Sequence, residues 1–153
     1  MLEKFHVAQK DIVHVEEKRL RSATKEILMT QGIPEKDAIL ATDALIKADL
    51  RGVESHGVSN MLRAYLGAFK SNSLNPKPNW KIVKETPSCA TINSDNGLGI
   101  VVAPQAMEIA VEKAKKTGAG IVTMNNCGHL GMLAYHSMIA SDNDMIGTTM
   151  AAC

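Results

Sequence analysis

Three stretches in the first half of the chain carry apolar residues at three- and four-residue intervals. From Glu16 to Gln31, Leu20, Ala23, Ile27 and Leu28 fall on one helical stripe, and Gly32 supplies a stop. Pro34 then stands where a first helical residue is welcome, and Ala38, Ala41, Leu45 and Ile46 carry a second stripe as far as Gly52. These two helices are expected to pack as a pair. Val58, Met61, Leu62, Tyr65 and Phe69 predict a third helix, which Ser55 or Ser59 is placed to cap.

Beyond Asn72 the texture changes. Pro76, Pro78 and Pro87 surround WKIVKE, and CATINSD alternates Ala90 and Ile92 with polar neighbours, which reads as two short strands joined by a turn. Ala103, Met107, Ala110, Val111 and Ala114 predict a helix closed by Gly118. A βαβ pattern follows: GIVTM as a short buried strand, CGHLG as a turn, Leu130 to Ile139 as an amphipathic helix, and MIGTTMAA as another buried strand. The fold class is therefore α/β, with a helical segment over 1–75 and an α/β part over 76–153. Cys153 follows the last strand with no turn or polar tail, so the chain is expected to be a fragment of a longer one.

Composition narrows the function. Seventeen basic against sixteen acidic residues leave a formal charge of +1, which gives no field to draw the molecule to nucleic acid or an anionic membrane. No apolar run approaches the roughly 20 residues that span a bilayer, and the amino terminus lacks the apolar core of a signal peptide. The cysteines, Cys89, Cys127 and Cys153, show no paired spacing and read as free thiols in the cytoplasm.

Of the five histidines, His6 and His14 lie in the polar start and read as solvated, leaving His56, His129 and His136. His129 and His136 are two helical turns apart, roughly 10 Å, too far to share one ion, and no HxxxH or CxxC pair exists, so no metal is expected. GVESHG does not match the GxSxG of a serine hydrolase. In CGHLG, Gly128 and Gly131 let backbone approach a ligand, but the loop is not GxGxxG. It reads either as a plain strand–helix turn or as an anion or cofactor contact. His56, in ESHGVSN, reads either as a capping or surface histidine or as an acid/base. His136, two turns into its helix, is explained by burial or solvent without chemistry.

ADLRGVESHGVSNMLRAYL, Ala48 to Leu66, and NNCGHLGMLAYHSMIA together resemble the malate/L-lactate dehydrogenase family, which also includes ureidoglycolate and sulfolactate dehydrogenases and an imine reductase. The intervening PSCATINSDNGLGIVVAPQAMEIAVEKAKKTGAGIVTM follows the family's order, so the resemblance runs from about Val15 to the end. It implies an oxidoreductase that uses NAD or NADP to interconvert a 2-hydroxy acid and a 2-oxo acid. It also implies a mixed-sheet, non-Rossmann cofactor-binding domain, a homodimer, and a chain more than twice this long. On this resemblance Ser55 and His56 match the family's active-site serine–histidine pair, and His129 matches the histidine that exchanges a proton with the substrate oxygen. Gly128 and Gly131 become cofactor contacts. Asn60 stands where many relatives carry arginine, a residue suited to a substrate carboxylate, and Arg63, one turn along, is placed to take that role. Arg51 belongs to the matched ADLRG and reads as packing or helix-end compensation. The alternative is a non-catalytic remnant of the same family that acts by association.

Overall fold

The computed structural model describes residues 8–151; His6 and Cys153, and the expectations attached to them, lie outside the described residues. Five helices and three strands follow in the order α1 (Glu17–Thr30), α2 (Glu35–Leu50), α3 (Val58–Lys70), β1 (Lys81–Glu85), β2 (Cys89–Gly97), α4 (Gly99–Thr117), β3 (Ile121–Cys127) and α5 (Leu133–Ser141).

The helical stretches form as the periodicity predicts, with two local differences. In α1 the buried stripe is Thr24 and Leu28, flanked by half-buried Leu20, whereas Ala23 and Ile27 face solvent. Pro34 sits just outside α2 as its cap, in extended conformation, and the helix starts at Glu35. Neither Ser55 nor Ser59 caps α3. The cap position is Gly57, and the Val58 N–H donates to Asp49 Oδ2 of α2 at 2.9 Å. A cap reaching across from the preceding helix satisfies the same orphan donor that a local serine would. A Cβ on Gly57 would collide with the Asp49 carboxylate, so the glycine clears the space the cap occupies. Asp49→Ala is expected to cost about 0.5–2 kcal/mol and Asp49→Asn, which keeps an acceptor, much less; denaturant midpoints of the two variants check this.

β1 and β2 pair antiparallel, with Ile82 opposite Ile92, and β2 and β3 pair parallel, with Ile92 opposite Met124. The two-strand hairpin is as the alternating pattern predicts. A parallel partner needs a crossover, and α4 supplies it, lying on one face of the three-stranded sheet. Alternate β2 residues Ala90, Ile92 and Ser94 are buried beneath it, and Ile92, Val102 and Ala106 form a small core with Trp80, Ile109, Val122 and Met124. Lys113 of α4 is buried and closes the hairpin end through Glu85 at 2.8 Å and the Thr86 carbonyl at 2.7 Å. Gly118 ends α4 at φ +84°, in the left-handed conformation that a glycine stop favours.

A larger core joins Leu28, Ile33, Ala41, Leu45 and Ala48 of the first two helices and their connection to Tyr65 and Phe69 of α3, Ile100 and Val101 of α4, and Tyr135 of α5. Burying each of its larger aliphatic side chains contributes about 1.5–3 kcal/mol. The front half of α4 thus belongs to both cores and fixes the helices against the sheet. Asp43 adds a polar tie: it accepts from Arg21 at 3.0 Å and from the Tyr135 hydroxyl at 2.9 Å, and pairs with Lys47 at 3.0 Å. Burial alone would raise the Asp43 pKa, but these hydrogen bonds and the Lys47 charge outweigh it and hold it below the usual carboxylate value.

Two expectations for the second half are overturned. GIVTM is a strand but not a buried one: β3 has β2 along one edge only, Val122 and Met124 turn toward α4, and Ile121 and Thr123 are exposed. Its apolar run reflects one covered face, not two. MIGTTMAA forms no strand through residue 151, and Ile146 and Met150 are exposed. Its groups turn back onto α5: Ser137 donates to the Thr149 hydroxyl at 2.9 Å, and Gly147 lies so close to the Ser137 carbonyl that a Cβ would come within 2.4 Å of it. That course takes the segment away from the free edge of β3. Helix α5 also begins three residues later than the pattern predicts, because residues 130–132 belong to the preceding loop.

Candidate active site

Two loops meet at the mouth of the larger core. The first is the turn Glu54–His56, a single turn of 3-10 helix wedged between α2 and α3. Its Asn60 brace is local: the side-chain amide donates to the Glu54 carbonyl at 2.8 Å. The second is the loop from Cys127 to Met132 between β3 and α5. Its course is set where β2 ends, because Asp95 and Asn96 adopt left-handed conformations and carry Gly97 to a point where its carbonyl accepts from the Gly128 N–H at 2.9 Å.

This packing stacks the rings of His56 and His129 at 5.4 Å between centroids and 16° between planes. Each ring is held by its Nδ1. Ser55 Oγ lies 2.8 Å from His56 Nδ1, and Tyr65 Oη lies 2.9 Å from His129 Nδ1, with the Gly131 N–H donating to the same nitrogen at 3.3 Å. A backbone N–H only donates, so Nδ1 of neutral His129 is an acceptor and the ring proton sits on Nε2. Burial pushes the Tyr65 hydroxyl far up, which keeps it protonated and able to donate. The His129 pKa lies below its ordinary 6.5, first because packing strips water from the ring and second because a charge on His56 repels one on His129.

The structure therefore brings together Ser55, His56 and His129, residues far apart in sequence. It adds Tyr65, which the sequence pattern placed only on an apolar helical stripe. The signal for it is geometric: a tyrosine 3% exposed needs a partner for its hydroxyl, and among the described residues its side-chain partner is His129. Arg63 is exposed on α3 and forms no ion pair among the described residues, whereas Arg51 stands exposed at the end of α2 as its C-cap. Cys127, beside the loop, is kept a thiol by burial. His136 is not at the surface of this site; it is 1% exposed and donates Nε2–H to the Leu130 carbonyl at 2.7 Å. Of the two explanations the sequence left open, burial and solvent, it is burial that holds for this ring.

Among the described residues no three His, Cys, Asp or Glu side chains gather where they could hold a metal ion. For a dinucleotide the two loop glycines are the candidates. A Cβ on Gly128 would meet Leu74 Cδ2 at 2.5 Å, and one on Gly131 would meet Ile100 Cγ2 at 2.5 Å. Both glycines make room for the protein's own side chains on the side where a Cβ would lie. What the arrangement offers chemically is a pair of imidazoles held at Nδ1, with no hydrogen-bond partner on either Nε2 among the described residues.

The pattern of the malate/L-lactate dehydrogenase family matches residues 15–153. An L-sulfolactate dehydrogenase of Methanocaldococcus jannaschii is 45% identical over 125 residues, covering 82% of this chain and 36% of that protein. A malate dehydrogenase of Pyrococcus abyssi is 42% identical over 150 residues, covering 98% of this chain and 41% of the relative. The solved malate dehydrogenase of Pyrococcus horikoshii OT3 superimposes with a TM-score of 0.85 at 40% identity, over 90% of this chain and 39% of that one. The chain thus spans about two fifths of the length of the relatives it matches, and by sequence and by fold it belongs to the malate/L-lactate dehydrogenase family.

Proposed function

We propose that this chain supplies the proton-transfer side of an NAD- or NADP-dependent dehydrogenase that interconverts a 2-hydroxy acid and a 2-oxo acid of the malate or lactate kind. The observation that carries the reading is the stacked His56–His129 pair, with each Nδ1 engaged and neither Nε2 partnered among the described residues. The malate and sulfolactate dehydrogenases among its relatives support the substrate class. A nicotinamide, when bound, supplies or accepts hydride; this chain's residues handle the proton. In reduction, protonated His129 gives its Nε2 proton to the oxygen that becomes the hydroxyl. In oxidation the ring takes that proton back at Nε2, which requires the neutral form with its proton on Nδ1, donated to Tyr65 Oη, in place of the resting form protonated on Nε2. His56, fixed by Ser55, stacks on His129 and supports its ring. Arg63, an exposed cation with no ion pair among the described residues, binds the substrate carboxylate, with Asn60 shaping the turn beside it.

Tyr65 is a positioning residue in this scheme. Its hydroxyl donates to His129 Nδ1 when the ring proton is on Nε2 and accepts from it when Nδ1 is protonated, so one contact holds the ring in every state. Tyr65→Phe is expected to lower turnover about tenfold, at the low end of what acid/base geometry contributes, with KM little changed; steady-state kinetics of the two proteins check this.

The 1–75 helical segment, the 76–153 start of a cofactor-binding α/β domain, a homodimeric assembly and a cytoplasmic setting belong to the same reading. No helix among the described residues is long and apolar enough to cross a membrane. The direct test is NADH or NADPH oxidation by the complete protein with a panel of 2-oxo acids. Steady turnover of one of them supports the reading; a well-folded protein that turns over none favours the association-only relative.

A further inference from the structure

We infer that His136 is a positioning residue for His129, acting through a single peptide unit. His136 donates Nε2–H to the Leu130 carbonyl at 2.7 Å, and the N–H on the other side of that same peptide, Gly131 N–H, donates to His129 Nδ1. A peptide unit is planar, with its C=O and N–H pointing opposite ways, so whatever fixes the carbonyl fixes the N–H. A carbonyl that accepts a hydrogen bond also makes its own N–H a better donor. The chain from His136 Nε2 to His129 Nδ1 therefore sets both the orientation of the His129 ring and the nitrogen that carries its proton.

The chemistry of the buried ring favours this role. A carbonyl only accepts, so the proton of neutral His136 lies on Nε2; burial lowers its pKa, while the bond to Leu130 raises it, and the net shift is downward. His136 Nδ1 is buried with no partner. An apolar ring would fill the same slot without burying an unpartnered nitrogen, but it would leave the Leu130 carbonyl unheld. Gly131, at φ +66° and with Ile100 where a Cβ would be, lets the peptide take this orientation. The contact lies behind the loop, so His136 itself meets neither substrate nor cofactor.

This inference rests on the reading of His129 as acid/base, but its primary test does not depend on activity. Long-range proton–nitrogen NMR of the imidazoles, on the complete protein without substrate or cofactor, reports which nitrogen of His129 is protonated. In the parent, His129 is expected as one neutral form with the proton on Nε2. In His136→Phe, the form protonated on Nδ1 should gain several-fold in population. In His136→Gln, whose amide can still donate to Leu130, the parental pattern should return. An unchanged His129 pattern in folded His136→Phe overturns the proposal. If that variant does not fold, His136→Leu takes its place, and failure of both to fold assigns His136 to the core alone and overturns it as well. A parent without dehydrogenase activity would sink the functional reading while leaving the tautomer result to stand by itself.

Discussion

Replacing His129 by Asn is expected to lower turnover of the complete enzyme by about 10²- to 10⁴-fold, the usual worth of a positioned general acid or base, with cofactor affinity nearly unchanged. Asparagine fills a similar volume and can still accept from Tyr65 and Gly131 near the position of Nδ1, so the loop should hold its course. What it lacks is a nitrogen that gains and loses a proton near neutrality. His56→Asn should slow turnover less, because it removes the stacked neighbour and its charge but leaves His129 in place. The two variants therefore separate the ring that transfers the proton from the ring that supports it. Fluorescence titration with the cofactor and single-turnover rates for both proteins check this.

Gly99→Ala, far from both histidines in sequence, is expected to damage stability and turnover together. A Cβ there would sit 2.4 Å from the Gly128 carbonyl oxygen and 2.6 Å from that of His129. Both obstacles are backbone, so relief requires moving the first turn of α4 or the loop that carries His129. Overpacking of this kind costs about 1–3 kcal/mol. Because the displaced atoms belong to His129 itself, a shift of about 1 Å also lowers turnover by about 10²-fold. Thermal unfolding together with kcat should show both losses. Loss of stability with full turnover would mean that the helix gives way and the loop does not.

The helices were legible in the sequence because their periodicity is set by burial, which three- and four-residue spacing reports directly. Alanines and a threonine on α1 blurred which side of the stripe goes inward, so Ala23 and Ile27 traded places with Thr24. The hairpin was legible from alternation. The exposure of β3 and the fate of MIGTTMAA were not, because a short apolar run does not say whether one face or two are covered, or whether a strand finds a neighbour. The cap on α3 comes from Asp49, nine residues from the N–H it accepts, and no local capping pattern describes it. At the site, the glycine-flanked histidines were visible as motifs. Their stacking, the Tyr65 contact across 64 positions and the peptide bridge from His136 were not, since each depends on where two loops come to rest.

The central claim is that His129 carries the proton, and the pH profile of single-turnover hydride transfer in the oxidising direction tests it most directly. Oxidation needs the neutral ring, so the parent rate should rise with pH through an ionisation below 6.5, the ordinary value from which His129 is lowered, and level off toward neutrality. In His129→Asn the rate should be low and that ionisation absent. A His129→Asn enzyme that keeps both the parental rate and the same rise with pH would contradict the account.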